Sequence, residues 1–319
     1  MSDQVLNLVV RKRVKEGEGV VILDLADPSG KPLPAFEAGA HVDIHLKPGL
    51  VRQYSLCGDP ADLTHYRVGV LLDPTSRGGS VAVHEMLLEG GMVDIGAPRN
   101  HFPLAGCAKR SILIGGGIGV TPMIAMAYHL TAQDSPFELH YCGRSRNRTA
   151  FLDELERSDF AACVKTHFDD EGAEQKLDLP AVLGQPVDGV HVYVCGPAGF
   201  MDWVIAETRK AGYAEDHIHR EYFQAEVNVS GGGFEVVAQR SGKTIQVVEG
   251  QTIAQALADA GVNIQVSCKQ GVCGTCLCDV LEGEPDHRDV YLTDEEKAAN
   301  DQILTCCSRA VSKTLVLDI

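Results

Sequence analysis

Between Val266 and Val280 the sequence reads VSCKQGVCGTCLCDV, which sets four of the chain's eleven cysteines within eleven positions. Cys268, Cys273 and Cys276 make a C-x4-C-x2-C run, and 29 residues separate Cys276 from Cys306. Thiolates at this spacing suit a plant-type [2Fe–2S] centre, where four sulfurs hold two irons and two bridging sulfides. Gly271 and Gly274 let the loop curl tightly and turn N–H groups toward sulfur, which stabilises negative charge there. A structural zinc site usually pairs two C-x2-C knuckles, whereas here one three-cysteine loop meets a lone distant ligand. A disulfide framework fits less well still. Cys278 and Cys307 read as ordinary small core or surface residues, and spacing alone does not separate Cys306 from Cys307.

Three glycine turns offer a different chemistry. GGGIGVTP (Gly115–Pro122) follows a buried apolar run and precedes a helical one. It lacks the G-x-G-x-x-G register, since Val120 stands where the third glycine would be. Its glycines, Gly115, Gly116, Gly117 and Gly119, still let a pyrophosphate approach bare backbone at a helix N-terminus. Thr121 is the expected capping and ligand-facing residue. YVCGPAGFM repeats the strand–turn–helix pattern around Cys195, Gly196 and Pro197; taken in isolation, Cys195 is more often a buried core thiol. RGGS (Arg77–Ser80) opens a third helix, so Gly78, Gly79 and Ser80 present free N–H groups, a hydroxyl and a positive dipole end to an anion.

VRQYSL (Val51–Leu56) supplies partners for that anion site. Arg52 suits a phosphate, Tyr54 a flat ring system, and the Ser55 hydroxyl a ring nitrogen or carbonyl at its edge. A tyrosine on a strand is ordinarily core, so the pattern gains weight from the RGGS turn. YCGRSRNRT places Arg144, Arg146 and Arg148 where an acid would bond a ribose 2′-hydroxyl; they would accommodate a 2′-phosphate, or form a solvated basic loop.

These motifs need elements to position them. Up to about Ala105, VVILDLA, HVDIHL, RQYSL and HYRVGVLL read as short strands between Gly, Pro and Asp turns, with one helix, VAVHEMLLEG, before the strand MVDIGA. Such spacing suits an antiparallel barrel. From about Cys107 to Phe223, strands alternate with helices, which implies a parallel sheet wrapped by helices. Ser111–Leu130 carries no charge and is long enough for a membrane helix, but its glycines and Pro122 break it into strand, turn and helix. QAEVNVSGGGF reads as a polar linker. FEVVAQRSGKTIQVV then reads as a hairpin turning at Ser241–Gly242, followed by a helix capped by Thr252 and ended by Gly261, with TLVLDI as the last strand. The expected fold is multidomain: an antiparallel β-barrel over 1–105, a nucleotide-binding α/β domain over 106–225, a linker over 226–233, and a β-grasp ferredoxin domain over 234–319.

Bulk properties bound the partners. The net charge of −16 disfavours nucleic acid. From Glu226 onward fourteen Asp/Glu face seven Lys/Arg, an acidity that also serves docking to a basic protein. Abundant cysteines, odd in number, and a start (MSDQVLNLVVRKRV) without an apolar leader point to a reducing cytoplasm and no membrane anchor.

With these motifs in order, the whole chain resembles the phthalate-dioxygenase-reductase family, three-domain reductases that serve Rieske oxygenases, and within it the vanillate O-demethylase reductase branch. VRQYSL matches the R-x-Y-S pattern of its flavin barrel. CCSR matches its fourth-ligand segment and favours Cys306. The resemblance implies FMN rather than FAD, its phosphate gripped by the RGGS turn and by Arg52. It also implies NADH as donor, Cys195 against the nicotinamide, Glu221 near the reacting rings and Phe223 over one flavin face. PRNHFPL matches a segment near the flavin, without a role for Asn100. A hydride carries two electrons and an iron–sulfur centre accepts one, so flavin is the adapter; a cluster near about −400 mV reduces a Rieske centre downhill. The chain has no C-x-H pair and no evident 2-His-1-carboxylate set, which places oxygen chemistry on a separate terminal Rieske non-haem iron oxygenase. The alternatives are a reductase for a cytochrome P450 or other cytochrome, and a colourless or zinc-holding protein with a degenerate nucleotide domain.

Overall fold

The computed structural model describes residues 5–319. The first four residues of the start read above for a leader lie outside it. Two compact units emerge, Met1–Glu221 and Tyr222–Ile319.

The first unit begins with an antiparallel sheet of β1 (Val5–Glu16), β2 (Val20–Ala26), β3 (Ala40–Lys47), β4 (Leu50–Ser55), β5 (Tyr66–Leu71), β6 (Met92–Gly96) and β7 (Arg99–Asn100), with helix α1 (Gly79–Met86) between β5 and β6. The order is β4-β3-β6-β1-β2-β5, with β7 on β3. A bridge between Leu56 and Val68 joins the two ends and closes the barrel. Leu8, Leu23, Ile44, Val68 and Ile95 fill it. β1 was not among the strands expected. Leu8 and Val10 point inward, but a bulge after Val10 and the exposed Arg11, Lys12 and Lys15 interrupt the alternation that marks a strand.

The same unit continues into a wholly parallel sheet of β8 (Arg110–Gly116), β9 (Phe137–Gly143), β10 (Val164–Phe168), β11 (Val190–Cys195) and β12 (Ile218–Glu221). Its order is β10-β9-β8-β11-β12. Helices α2 (Val120–Ala132), α3 (Leu152–Arg157), α4 (Leu179–Leu183) and α5 (Ala198–Lys210) connect the strands. The strand order reverses between β8 and β11, and a ligand crevice forms beyond the carboxyl ends of strands at such a switch point. β10 and β12 escaped the sequence reading because their short runs, VKTHF and IHRE, are more polar than apolar. Ser111–Leu130 resolves into β8, a turn and α2, and among the described residues no helix is long and apolar enough to cross a membrane.

Barrel and parallel sheet are locked together. Phe151 is buried in the left-handed region at φ 63°, and its N–H donates to the Glu16 carboxylate at 2.7 Å. Its ring lies so close to Gly69 of β5 that a Cβ there would stand 2.6 Å from it. Arg67 bridges the joint, pairing with Asp24 at 2.7 Å and Glu154 at 3.2 Å.

The second unit holds the sheet β14-β13-β19-β15-β17, built from β13 (Phe234–Ala238), β14 (Lys243–Val247), β15 (Leu277–Glu282), β17 (Gln302–Leu304) and β19 (Thr314–Leu317), with the small pair β16 (Pro285–Asp286) and β18 (Arg309–Ala310). Helices α6 (Ile253–Asp259) and α7 (Asp294–Ala299) complete this β-grasp fold. Thr252 and Gln255 form a capping box on α6, and Gly261, with positive φ, follows its end. The polar segment expected as a linker has no regular structure, yet two arginines hold it. Arg288 Nη1 donates to the Asn228 and Ser230 carbonyls at 2.6 and 2.8 Å. Arg309, 2% exposed, donates to the carbonyls of Gln251 and Gly232 and stacks on Phe234. A buried guanidinium is costly unless its donors are met, so these carbonyls fix the segment in place.

Candidate functional site

At the barrel, Gly78 sits at φ 87° as the N-cap of α1, with no side-chain cap. The first intrahelical bond is Ala82 N–H to the Gly78 carbonyl, which leaves the N–H groups of Gly79, Ser80 and Val81 without helical acceptors. Arg52 lies across this turn: a Cβ on Gly79 would meet its Cγ at 2.5 Å and Nε at 2.8 Å. Its Nη2 donates to the Arg77 carbonyl at 3.0 Å. Ser80 Oγ accepts from Asp73 N–H at 3.1 Å, so its proton remains to donate. The free donors, the cation and the hydroxyl fit a phosphate. Two residues along β4, Tyr54 is half-buried, and burial raises its phenol well above the ordinary value.

At the switch point the two nucleotide turns cross. Cys195 pairs in register with Gly115 on one side and Glu221 on the other. A Cβ on Gly119 would collide with the Cys195 carbonyl, so only glycine lets the turn after β8 pass over the end of β11. Gly117, exposed at φ 54°, has open space where a Cβ would stand. This bare, left-handed backbone suits a pyrophosphate. Pro197 is the N-cap of α5. The expected role of Thr121 is corrected: α2 is capped by Gly119 with no side-chain bond. Thr121 is 1% exposed and its hydroxyl donates to the Ile118 carbonyl at 2.9 Å, the ordinary use of a threonine in a helix's first turn.

Ser55, at the end of β4, and Glu221, at the end of β12, meet. Ser55 Oγ donates to Glu221 Oε2 at 3.3 Å. Desolvation pushes the Glu221 carboxyl up to about 8, opposed by the Ser55 hydrogen bond. Burial also pushes the adjacent Cys195 thiol up, with Glu221 adding to it, which favours the neutral thiol. Phe223 lies two residues beyond β12 and is half-buried.

In the second unit, Cys268, Cys273, Cys276 and Cys306 are all buried. Cys268 touches both Cys273 and Cys306, and Cys306 touches Cys276. The four thiols thus lie together in one cluster. Among the described residues no three His, Cys, Asp or Glu side chains group around one ion. Four buried thiols gathered at this spacing fit a dinuclear iron–sulfur cluster. The Gln270 N–H donates to Cys268 Sγ at 3.3 Å. Cys307 turns its Sγ to the Leu304 carbonyl and against Gly271, where a Cβ would stand 2.5 Å from that sulfur. Cys278 packs into the sheet core, and burial pushes its thiol up to about 11.

Asn100, left without a role in the sequence, acquires one. Asn100 donates to the Ala38 carbonyl at 3.0 Å and accepts from Phe102 N–H at 2.9 Å, which pins the segment after β7 to the start of β3. Of the three arginines after β9, Arg146 is held by Glu171 at 3.1 Å and Arg148 by Glu18 at 3.4 Å. Among the described residues Arg144 makes no ion pair.

Residues 113–205 match an oxidoreductase NAD-binding domain, and residues 236–311 match a 2Fe-2S iron–sulfur cluster binding domain. Over 95% of this chain and 96% of its counterpart, the sequence is 51% identical to a vanillate O-demethylase oxidoreductase of Pseudomonas sp. strain HR199. It is 41% identical to the phenoxybenzoate dioxygenase subunit beta of Ectopseudomonas oleovorans, over 95% and 93% of the two chains. Phthalate dioxygenase reductase, a modular structure for electron transfer from pyridine nucleotides to [2Fe–2S], superposes with a TM-score of 0.75 at 38% identity over 99% of this chain and 98% of that one. The chain belongs to the phthalate-dioxygenase-reductase family. It is an NAD(P)H-dependent iron–sulfur oxidoreductase, a reductase of the kind that serves oxygenase systems. An intact type IV self-sufficient cytochrome P450 monooxygenase also superposes, with a TM-score of 0.86 at 40% identity, over 99% of this chain and 41% of that one.

The folded protein keeps the Glu221 proton up to about pH 8, whereas an unfolded glutamate releases it near 4.5. The folded state is therefore increasingly penalised as pH rises between those values. Glu221→Gln should flatten the fall in thermal midpoint between pH 5 and 8; an unchanged slope would assign the effect to other groups.

Proposed function

We propose that this protein is the reductase component of a Rieske-type oxygenase system, with NADH as donor, FMN and a [2Fe–2S] cluster as carriers, and a separate terminal oxygenase, an aromatic O-demethylase or dioxygenase, as acceptor. The reading rests most directly on the Ser55–Glu221 contact beside Cys195, because it joins the end of the barrel strand carrying the flavin motif to the mouth of the nucleotide crevice. When bound, the flavin accepts the two electrons of a hydride and the cluster passes them on singly.

The chain's own residues provide position and electrostatics. Gly79, Ser80 and Arg52 hold the flavin phosphate, and Tyr54 lies along the ring system. Ser55 orients its hydroxyl toward the flavin's reactive edge. Glu221 stays protonated near neutral pH and keeps fixed negative charge away from the arriving hydride. Gly115, Gly116, Gly117, Gly119, Gly196 and Pro197 form the wall along which the dinucleotide lies, and Cys195 presents a neutral thiol to the nicotinamide. Cys268, Cys273, Cys276 and Cys306 ligate the cluster, while Cys307 packs beneath the ligand loop. NADH follows from the family resemblance; in the arginine loop Arg146 and Arg148 are held in surface salt bridges, and Arg144 is the arginine left for a 2′-phosphate.

A second reading, a reductase that feeds a cytochrome P450, draws support from the 99% coverage by the self-sufficient monooxygenase. A partner assay separates the two.

Cys273→Ser should abolish cluster assembly, read by iron and sulfide content, while NADH still reduces the flavin at close to the parent rate. Loss of flavin reduction in a folded Cys273→Ser protein would contradict the electron order. Docking to the oxygenase is assigned to the acidic second unit. Reversing the exposed Glu282, Glu284 and Glu295 to lysine should slow oxygenase reduction about tenfold or more at low salt and flatten its salt dependence. Unchanged rates and salt dependence would rule out that surface.

A further inference from the structure

Phe200 belongs to none of the groups assigned above, yet its ring touches both nucleotide turns. A Cβ on Gly116 would stand 2.8 Å from Phe200 Cδ1, and a Cβ on Gly196 would stand 2.9 Å from the same atom. Two glycines from different turns are thus bare toward one aromatic ring. The ring rises from the third residue of α5. The N–H groups that open this helix lack helical acceptors, since the first bond runs from Met201 N–H to the Pro197 carbonyl. Next to Gly116 in the same turn, Gly117 faces open space. The mouth is therefore vacant at Gly117 and filled by carbon at Gly116 and Gly196, although all three are the backbone a dinucleotide has to approach.

We propose that the Phe200 side chain is a placeholder in the nucleotide crevice, which swings out when the nicotinamide half of the dinucleotide seats. Phe200 is only half-buried, and its ring neighbours that of Trp203, 6.1 Å away at 52° and 41% exposed. The ring thus has a route outward along α5. With the ring inward, the binding-competent form is a fraction of the molecules, and apparent affinity falls by that fraction. Phe200 also keeps two apolar glycine faces from water until the cofactor arrives. The inference rests on the proposed nicotinamide site, and its failure is separable from the failure of that site.

Trp203 is the chain's sole tryptophan, so its emission reports on the neighbouring ring. The experiment titrates the holoprotein with NAD+, which binds without delivering electrons, and follows both calorimetric heat and Trp203 emission. In the parent protein emission should change in step with binding. Phe200→Ala should bind NAD+ about five- to tenfold more tightly, and Phe200→Leu should fall between it and the parent, with flavin and cluster absorbance unaltered. Equal or weaker binding in the alanine variant, or in the leucine variant if the alanine one does not fold, overturns the proposal and makes Phe200 a fixed wall of the site. Absence of any saturable NAD+ binding in the parent would instead remove the nicotinamide site itself.

Discussion

Everything at the crevice depends on one close approach: the turn after β8 crosses the end of β11 at Gly119 and Cys195 with no side chain between them. That crossing sits where the parallel sheet reverses its strand order. It fixes Cys195 beside Glu221 through strand register and exposes Gly117 as bare backbone. A methyl group at position 119 would stand 2.4 Å from the Cys195 carbonyl oxygen, so the two turns could not keep this approach.

The second requirement is that the barrel present its own strand end at the same place. The Arg67–Asp24–Glu154 bridges, the Glu16 carboxylate on Phe151 N–H and the packing of Phe151 on Gly69 join barrel to sheet at several points. Their combined effect is felt at Ser55 and Glu221, distant in sequence by 166 positions and yet hydrogen-bonded. A reaction that passes a hydride between two rings is sensitive to errors of about 1 Å in their placement, which gives so many joining contacts a purpose beyond stability. The sulfur loop solves a different problem. Its cysteines are buried yet carried on a short loop, and Gly271 against Cys307 shows how closely that loop is packed.

The chemistry was more legible in the sequence than the framework around it. Cysteine spacing and glycine turns are local signals, so the cluster loop, the RGGS turn and the two nucleotide turns could be placed on their elements directly. β1, β10 and β12 were hidden because bulges, charges and histidines blur the alternation that marks a strand. Thr121 was misread as a cap because sequence cannot show that Gly119 already occupies that position and that the threonine hydroxyl turns back to Ile118. The polar segment 226–233 looked free, since nothing local announces that Arg288 and Arg309, far along the chain, hold its carbonyls. Asn100 and Phe200 escaped for the same reason: their roles exist only in contacts with distant residues.

The central claim is that one chain converts a paired-electron donor into a single-electron supply. It is tested most directly by anaerobic rapid mixing of the purified protein with a limiting amount of NADH, with flavin and iron–sulfur absorbance followed separately. The account predicts one flavin, two irons and two sulfides per chain, with flavin bleaching first and cluster bleaching after it. Protein that lacks iron when freshly isolated and intact, or a cluster that bleaches before the flavin, would contradict it.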